Sequence, residues 1–292
     1  MHVAVLGAAF SAGGADPGCR QGPQMFRRHE FRRWQSRMSM PVRWAGIVRE
    51  ETAQPLGPPQ GMAVMRRNSR RLMRRTRCLR LAGTLPLVIG GDHSCAIGTW
   101  SGIAAAQKQA LGLLWIDAHL DAHTPETSAS HHVHGMPLAV LLGEGDQRLT
   151  RLTGICPVIQ ARYCAVIGVR SFEAAEPRRL QRLGVRFYTM EEIHRRSLAV
   201  VLAEAWRRVA AAPGGFGVSL DMDVLEPLLA PGVSVPEPGG LDPRRLARLL
   251  RQQPGKQHLR GLEIVELNPQ RDPRGQTRRL MPALLTSLLS RR

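Results

Sequence analysis

The chain has 292 residues, of which 43% are hydrophobic, and carries a formal net charge of +18. That size and apolar content suffice for one core domain spanning 1–292, and no apolar stretch approaches the roughly 20 residues of a membrane span. The charge invites a nucleic-acid reading, but Arg66, Arg67, Arg70, Arg71, Arg74, Arg75, Arg77 and Arg80 lack the interleaved aromatics that stack on bases, so they are expected to form a solvated helix face.

From the N-terminus, His2 to Leu6 reads directly as a strand with no basic leader before it, which argues against a signal peptide. Further strands are expected at Arg43 to Val48, Leu85 to Ile89, Leu111 to Ile116, Tyr163 to Val169, Val185 to Tyr188, Gly217 to Leu220 and Leu259 to Val265. Helical periodicity falls between them, at Gly61 to Leu81, Ala96 to Ala106, Ala174 to Leu183, Leu198 to Ala212, Pro243 to Leu250 and Thr277 to Leu289. In the first of these, Leu72, Met73, Leu79 and Leu81 are read as a buried stripe under the arginines. Strands alternating with helices imply an α/β fold with a mostly parallel sheet covered on both faces. The connection Pro55-Leu56-Gly57-Pro58-Pro59 reads as a surface loop, and the Pro/Gly-rich stretch from Pro227 to Gly240 is placed beside whatever cleft lies at Asp223. Gly13 and Gly14 lack the G-x-G-x-x-G spacing of a dinucleotide site. The five cysteines, Cys19, Cys78, Cys95, Cys156 and Cys164, are odd in number, scattered and without a C-x-x-C pair; they are expected to be reduced thiols of a cytoplasmic protein.

Three of the buried-strand patterns run into clusters of metal-ligand residues. Leu113, Leu114, Trp115 and Ile116 lead into Asp117-Ala118-His119-Leu120-Asp121; Phe216, Val218 and Leu220 lead into Asp221-Met222-Asp223; and Leu85 to Ile89 leads into Gly90-Gly91-Asp92-His93-Ser94. If each chain stays extended past its strand, alternation sends Asp117, His119 and Asp121 to one side, and likewise Asp221 and Asp223. His93 supplies a sixth donor. Four carboxylates and two imidazoles without a thiolate suit Mn2+ or a similarly hard divalent ion better than a closed zinc site. Two such ions roughly 3.5 to 4 Å apart can share a water and lower its pKa toward neutrality.

These three motifs resemble those of the ureohydrolase family, and the similarity runs from Val5-Leu6-Gly7-Ala8-Ala9 to Gly261-Leu262-Glu263-Ile264-Val265-Glu266-Leu267-Asn268-Pro269. Thr124-Pro125-Glu126-Thr127-Ser128 followed by His134-Gly135-Met136-Pro137 is most similar to the arginase branch. The resemblance implies a three-layer fold with an eight-stranded sheet, a pair of manganese ions per subunit, hydrolysis of L-arginine to L-ornithine and urea through a metal-bridging hydroxide, and a homo-oligomer, a trimer or hexamer. It implies proton transfer by Asp121, proton shuttling by His134 and pairing of Glu266 with the guanidinium. His123, Thr127, Ser130 and His132 would form a polar wall for the α-carboxylate, with Glu173 and Glu176 beside the α-ammonium. The alternatives are an agmatinase or other guanidino-compound hydrolase, or a catalytically silent structural or regulatory relative. The wall departs from the family pattern: His123 and His132 stand where arginases commonly have asparagines, Glu173 and Glu226 replace aspartates, and Val235 replaces a threonine.

Overall fold

The computed structural model describes residues 2–51 and 60–290, so the expected loop at Pro55–Pro59 lies outside the described residues. Eight strands form one sheet: β1 Val3–Ala9, β2 Val42–Arg49, β3 Leu85–Gly90, β4 Gly112–Ile116, β5 Cys164–Val169, β6 Arg186–Thr189, β7 Phe216–Asp221 and β8 Leu259–Val265. Their order is β2-β1-β3-β8-β7-β4-β5-β6, and every neighbouring pair is parallel. All eight expected strands are present with ends shifted by a few residues; Tyr163, for instance, closes a short 3-10 turn before β5.

Burial on both faces explains the continuous apolar runs. In β4, Leu114 and Ile116 enter one core while Leu113 and Trp115 enter the core on the opposite face, the period-two division of a strand covered by helices on either side. The six expected helices are all found, the longest being Gln60–Leu81 and Gln276–Leu289. Leu72 and Leu79 of the first are buried and Met73 partly so, but Leu81 is 60% exposed, contrary to the expected stripe. At about 3.6 residues per turn Leu81 lies two and a half turns beyond Leu72, on the opposite side of the helix. Two arginines of that helix have structural tasks: Arg71 donates to the Arg49 carbonyl (3.0 Å) and Arg75 to the Ala45 carbonyl (2.6 Å), both on β2 at the sheet edge.

The main element missed by periodicity lies between β1 and β2. Gly22–Phe26 is α-helical, Arg27–Phe31 forms a π turn and Arg32–Gln35 resumes the α-helix, with Phe26, Phe31 and Trp34 buried. The wide turn accommodates the five-residue step from Phe26 to Phe31, which breaks the 3.6-residue pattern. Short helices at Pro137–Leu141, Gln147–Thr150 and Met190–Arg196 were likewise unexpected, each too brief for periodicity to register.

One close approach ties the sheet to the site above it. A Cβ built on Gly217 in β7 would lie 2.0 Å from Cζ3 of Trp100, a fully buried side chain of the helix Cys95–Ala105. Gly217→Ala is therefore expected to destabilise the protein by about 1–3 kcal/mol through overpacking, read as a lower urea midpoint at unchanged slope; an unaltered midpoint would show that the ring yields freely.

Candidate metal centre and substrate cleft

The carboxyl ends of β3, β8, β7 and β4, four neighbouring central strands, open onto one cavity of about 330 Å³. An open parallel sheet gathers ligands at this edge because loops from several strands end there together. The expected donors converge, but not by extended alternation. β4 ends at Ile116, the chain bends, and Asp121 adopts φ +49°; beyond β7, Asp223 reaches the site through the 3-10 turn Met222–Val224. Turns do this because side chains on an extended segment would spread along it at over 6 Å per same-side step.

Two groups of potential ligand atoms result, His93 with Asp117 and Asp221, and His119 with Asp117 and Asp223, so Asp117 belongs to both. His93 Nδ1 lies 3.0 Å from Asp117 Oδ2 and 3.1 Å from both Asp121 Oδ2 and Asp221 Oδ2. It is nevertheless a buried nitrogen with no hydrogen-bond partner among the described residues. His119 Nδ1 is 3.0 Å from Asp223 Oδ2 and 3.5 Å from Asp117 Oδ1. An imidazole nitrogen surrounded by carboxylate oxygens without hydrogen-bond geometry is what a cation between them would leave, and the donor set fits a hard divalent metal pair.

Neighbouring groups hold the donors in place. The Trp115 indole donates to Asp117 Oδ2 (2.9 Å) and its ring stacks on His93 with centroids 4.1 Å apart. Backbone amides of His119, Ala118 and Asp223 donate to Asp117, Asp223 and Asp221 respectively. Burial lifts three carboxylic acids of the cluster, raising Asp121 to about 7, helped by repulsion from Asp117, and raising Asp221 and Asp223 as well, whereas at Asp117 the neighbouring His119 and His93 outweigh burial and hold the group down.

Glu266 follows β8 in a left-handed conformation, φ +64°, with Oε1 accepting from the His93 amide at 2.9 Å. Its other oxygen, Oε2, is buried without a hydrogen-bond partner among the described residues, and the side chain lines the cavity. His134 Nδ1 lies 3.6 Å from Glu266 Oε1. Burial would lower this histidine, but the adjoining Glu266 carboxylate outweighs it and holds His134 at about 9.

The outer cleft is assembled from three segments, the third being the Pro/Gly-rich loop that carries Val235. His123, Ser130, His132, Glu173 and Glu176 all line it, together with Ser128 of the arginase-like run, Val235, and Phe172, for which the sequence held no distinctive signal of contact. Thr127 is placed differently, behind the wall, with its hydroxyl 3.2 Å from His123 Nδ1 and accepting from the Thr124 amide. His123 Nε2 lies 3.2 Å from Glu176 and 3.7 Å from Glu173, so it turns toward the acids. Glu176 also accepts from the Ala122 and Glu173 amides. The Pro/Gly-rich loop does flank the metal donors: Arg170 donates to the carbonyls of Asp223 (2.7 Å) and Glu237 (2.8 Å), fastening that loop, and brings Glu237 Oε1 to 3.7 Å from His119 Nε2. Neither Arg170 nor Glu237 was singled out from sequence, because an isolated Arg or Glu in a loop carries no local signature.

Residues 1–290 match the model of the Arginase family. An arginase from Bacillus caldovelox is 41% identical over 206 residues, covering 70% of this chain and 69% of that protein, and an arginase from Agrobacterium fabrum is 31% identical over 296 residues, covering 99% and 90%. The native structure of the Bacillus caldovelox arginase at pH 5.6 superposes with a TM-score of 0.92 at 32% identity, covering 100% of this chain and 99% of that one. With its central strands ending in shared histidine and aspartate donors and its whole length matched, the chain belongs to the arginase family.

Proposed function

We propose that the protein is a metal-dependent amidinohydrolase that cleaves the guanidinium of L-arginine to give L-ornithine and urea. The observation that carries this reading is Glu266 Oε2, a buried carboxylate oxygen left without a partner on the wall of the cavity, beside donors grouped around Asp117. A guanidinium supplies the planar pair of N–H donors such an oxygen lacks, with a charge-assisted bond as the reward. His93, Asp117, Asp121 and Asp221 would hold one manganese ion and His119, Asp117 and Asp223 the other. When bound, such a pair supplies a water activated at neutral pH.

The protein's own groups do the rest. Glu266 fixes the guanidinium plane, and its Oε1, already held by the His93 amide, keeps the carboxylate from turning away. Asp121, buried on the cavity wall beside the other donors, is placed to receive a proton from the attacking water and return it to the leaving amine. His134, protonated at neutral pH and reaching from Glu266 toward the cleft mouth, is placed to exchange protons with solvent. A single domain over 1–292, assembly as a trimer or hexamer, and cytoplasmic residence complete the proposal. Among the described residues no helix is long and apolar enough to cross a membrane.

A second reading, hydrolysis of a guanidino compound without an α-ammonium, is favoured by one observation. His123 already occupies the acids Glu173 and Glu176 that would receive the ammonium.

Three measurements test these assignments. Asp223→Ala should lose one equivalent of bound manganese and at least about a thousandfold in urea release, since the remaining carboxylates lose a shared cation; full activity with two ions bound would refute the ligand set. Because their raised pKa values mean that Asp121, Asp221 and Asp223 deprotonate only as pH climbs, manganese should displace protons, and its affinity should increase from pH 6 to 8. Calorimetry in buffers of unequal ionisation heat reads this directly, and zero proton release would contradict it. Finally, kcat/KM for L-arginine should exceed that for agmatine, which lacks the carboxylate, and His123→Asn should widen the preference for L-arginine over 4-guanidinobutyrate, which lacks the ammonium, as Glu173 and Glu176 are freed. A wild type that prefers 4-guanidinobutyrate would move the assignment to the second reading.

A further inference from the structure

Beneath the metal donors lies a buried polar chain that the proposed chemistry leaves unused. Glu263 in β8 is fully buried and stands in register with Ser219 of β7 on one side and Val88 of β3 on the other. Its Oε2 accepts from the Ser219 hydroxyl at 2.8 Å and from the Trp100 indole at 3.1 Å, and its Oε1 from the Cys95 thiol at 3.5 Å. Ser219 Oγ in turn lies 2.9 Å from His93 Nε2. The far nitrogen of that ring, Nδ1, is the atom facing the three aspartates.

We propose that Glu263 is a positioning residue that dictates, through Ser219, which nitrogen of His93 carries the proton. Ser219 has one hydroxyl hydrogen, and Glu263 Oε2, which already accepts from Trp100, is an acceptor toward it. Once that hydrogen points to Glu263, Ser219 Oγ can offer His93 only a lone pair, so Nε2 must bear the N–H. Nδ1 is then left bare, directed at the space between Asp117, Asp121 and Asp221. Stacking on Trp115 disfavours the ring flip that would put Cδ2 in place of Nδ1 and Cε1 in place of Nε2. In this arrangement a carboxylate three groups removed from the cavity prepares a lone pair for a cation, the outer-shell control that metal-ligating histidines rely on.

Glu263→Leu tests the relay because it removes the acceptor: the Ser219 hydroxyl is then free to donate to His93 Nε2 and drive the proton to Nδ1. The inference rests on reading His93 as a metal ligand, so two readouts are needed. In the metal-free protein, at a pH where the ring is neutral, the nitrogen-15 shifts of His93 should report an Nε2–H tautomer in wild type and a shift toward Nδ1–H in Glu263→Leu. In titrations with manganese alone, the variant should lose about 10- to 100-fold in affinity for one of two ions and keep the other. Ser219→Ala, which cuts the relay without touching Glu263, should also lose the fixed tautomer and covers the case in which Glu263→Leu does not fold. Wild-type tautomer and wild-type manganese affinity in either folded variant would overturn the proposal. An Nε2–H wild type that binds no manganese would instead defeat the ligand reading and leave the relay standing.

Discussion

Four carboxylates, Asp117, Asp121, Asp221 and Asp223, are buried together at the ends of two adjacent strands, and most of the architecture above the sheet answers the repulsion among them. Removing such groups from water without a counter-charge is among the costliest arrangements a protein can make. Here the cost is met locally by His93 and His119, by backbone amides and by the Trp115 indole. These partners leave atoms unsatisfied in the middle, His93 Nδ1 above all. The site is thus built around a charge that the polypeptide does not itself contain.

The same demand accounts for the local backbone. Asp121 and Glu266 both adopt left-handed conformations, which cost a non-glycine residue about 1–3 kcal/mol and are tolerated where surrounding structure over-determines them. The Asp121 carbonyl accepts from the amides of Leu138 and Ala139, and the Glu266 amide donates to the Gly91 carbonyl, so each strained residue is pinned from a neighbouring element. Strain at these positions turns two carboxylates inward that a continuing strand would carry past the cavity.

Moving outward from the metal donors, constraint gives way to variation. The donors are buried, held by amides and supported by Glu263 and Ser219 below. The outer wall is partly exposed, with Phe172 at 46% and Glu173 well exposed, and is made largely from side chains on loops. Chemistry fixed at strand ends and selectivity placed on loops is a division that a rigid parallel sheet permits. His123 shows the consequence. A single imidazole on the loop takes up the acids Glu173 and Glu176, while the donors a few residues earlier stay in place.

What the sequence determined by itself was the set of strands and the clustering of histidine and aspartate side chains at their ends. Continuous apolar runs buried on both faces are strong signals, and Asp117-Ala118-His119-Leu120-Asp121 and Asp221-Met222-Asp223 concentrate ligand chemistry at their ends. Helix Gly22–Phe26 and its continuation were not legible, because a π turn erased the period by which a helix is recognised. Nor was the manner of convergence, since bends, a 3-10 turn and a positive φ cannot be read from residue spacing. Only the tertiary structure placed Thr127 behind His123, brought Glu237 to His119 through Arg170, and set Glu263 beneath Ser219 and His93. Each of those contacts joins residues far apart in the chain or depends on which way one ring turns, and that is decided by strand order, register and packing, which one residue's neighbours in sequence do not specify.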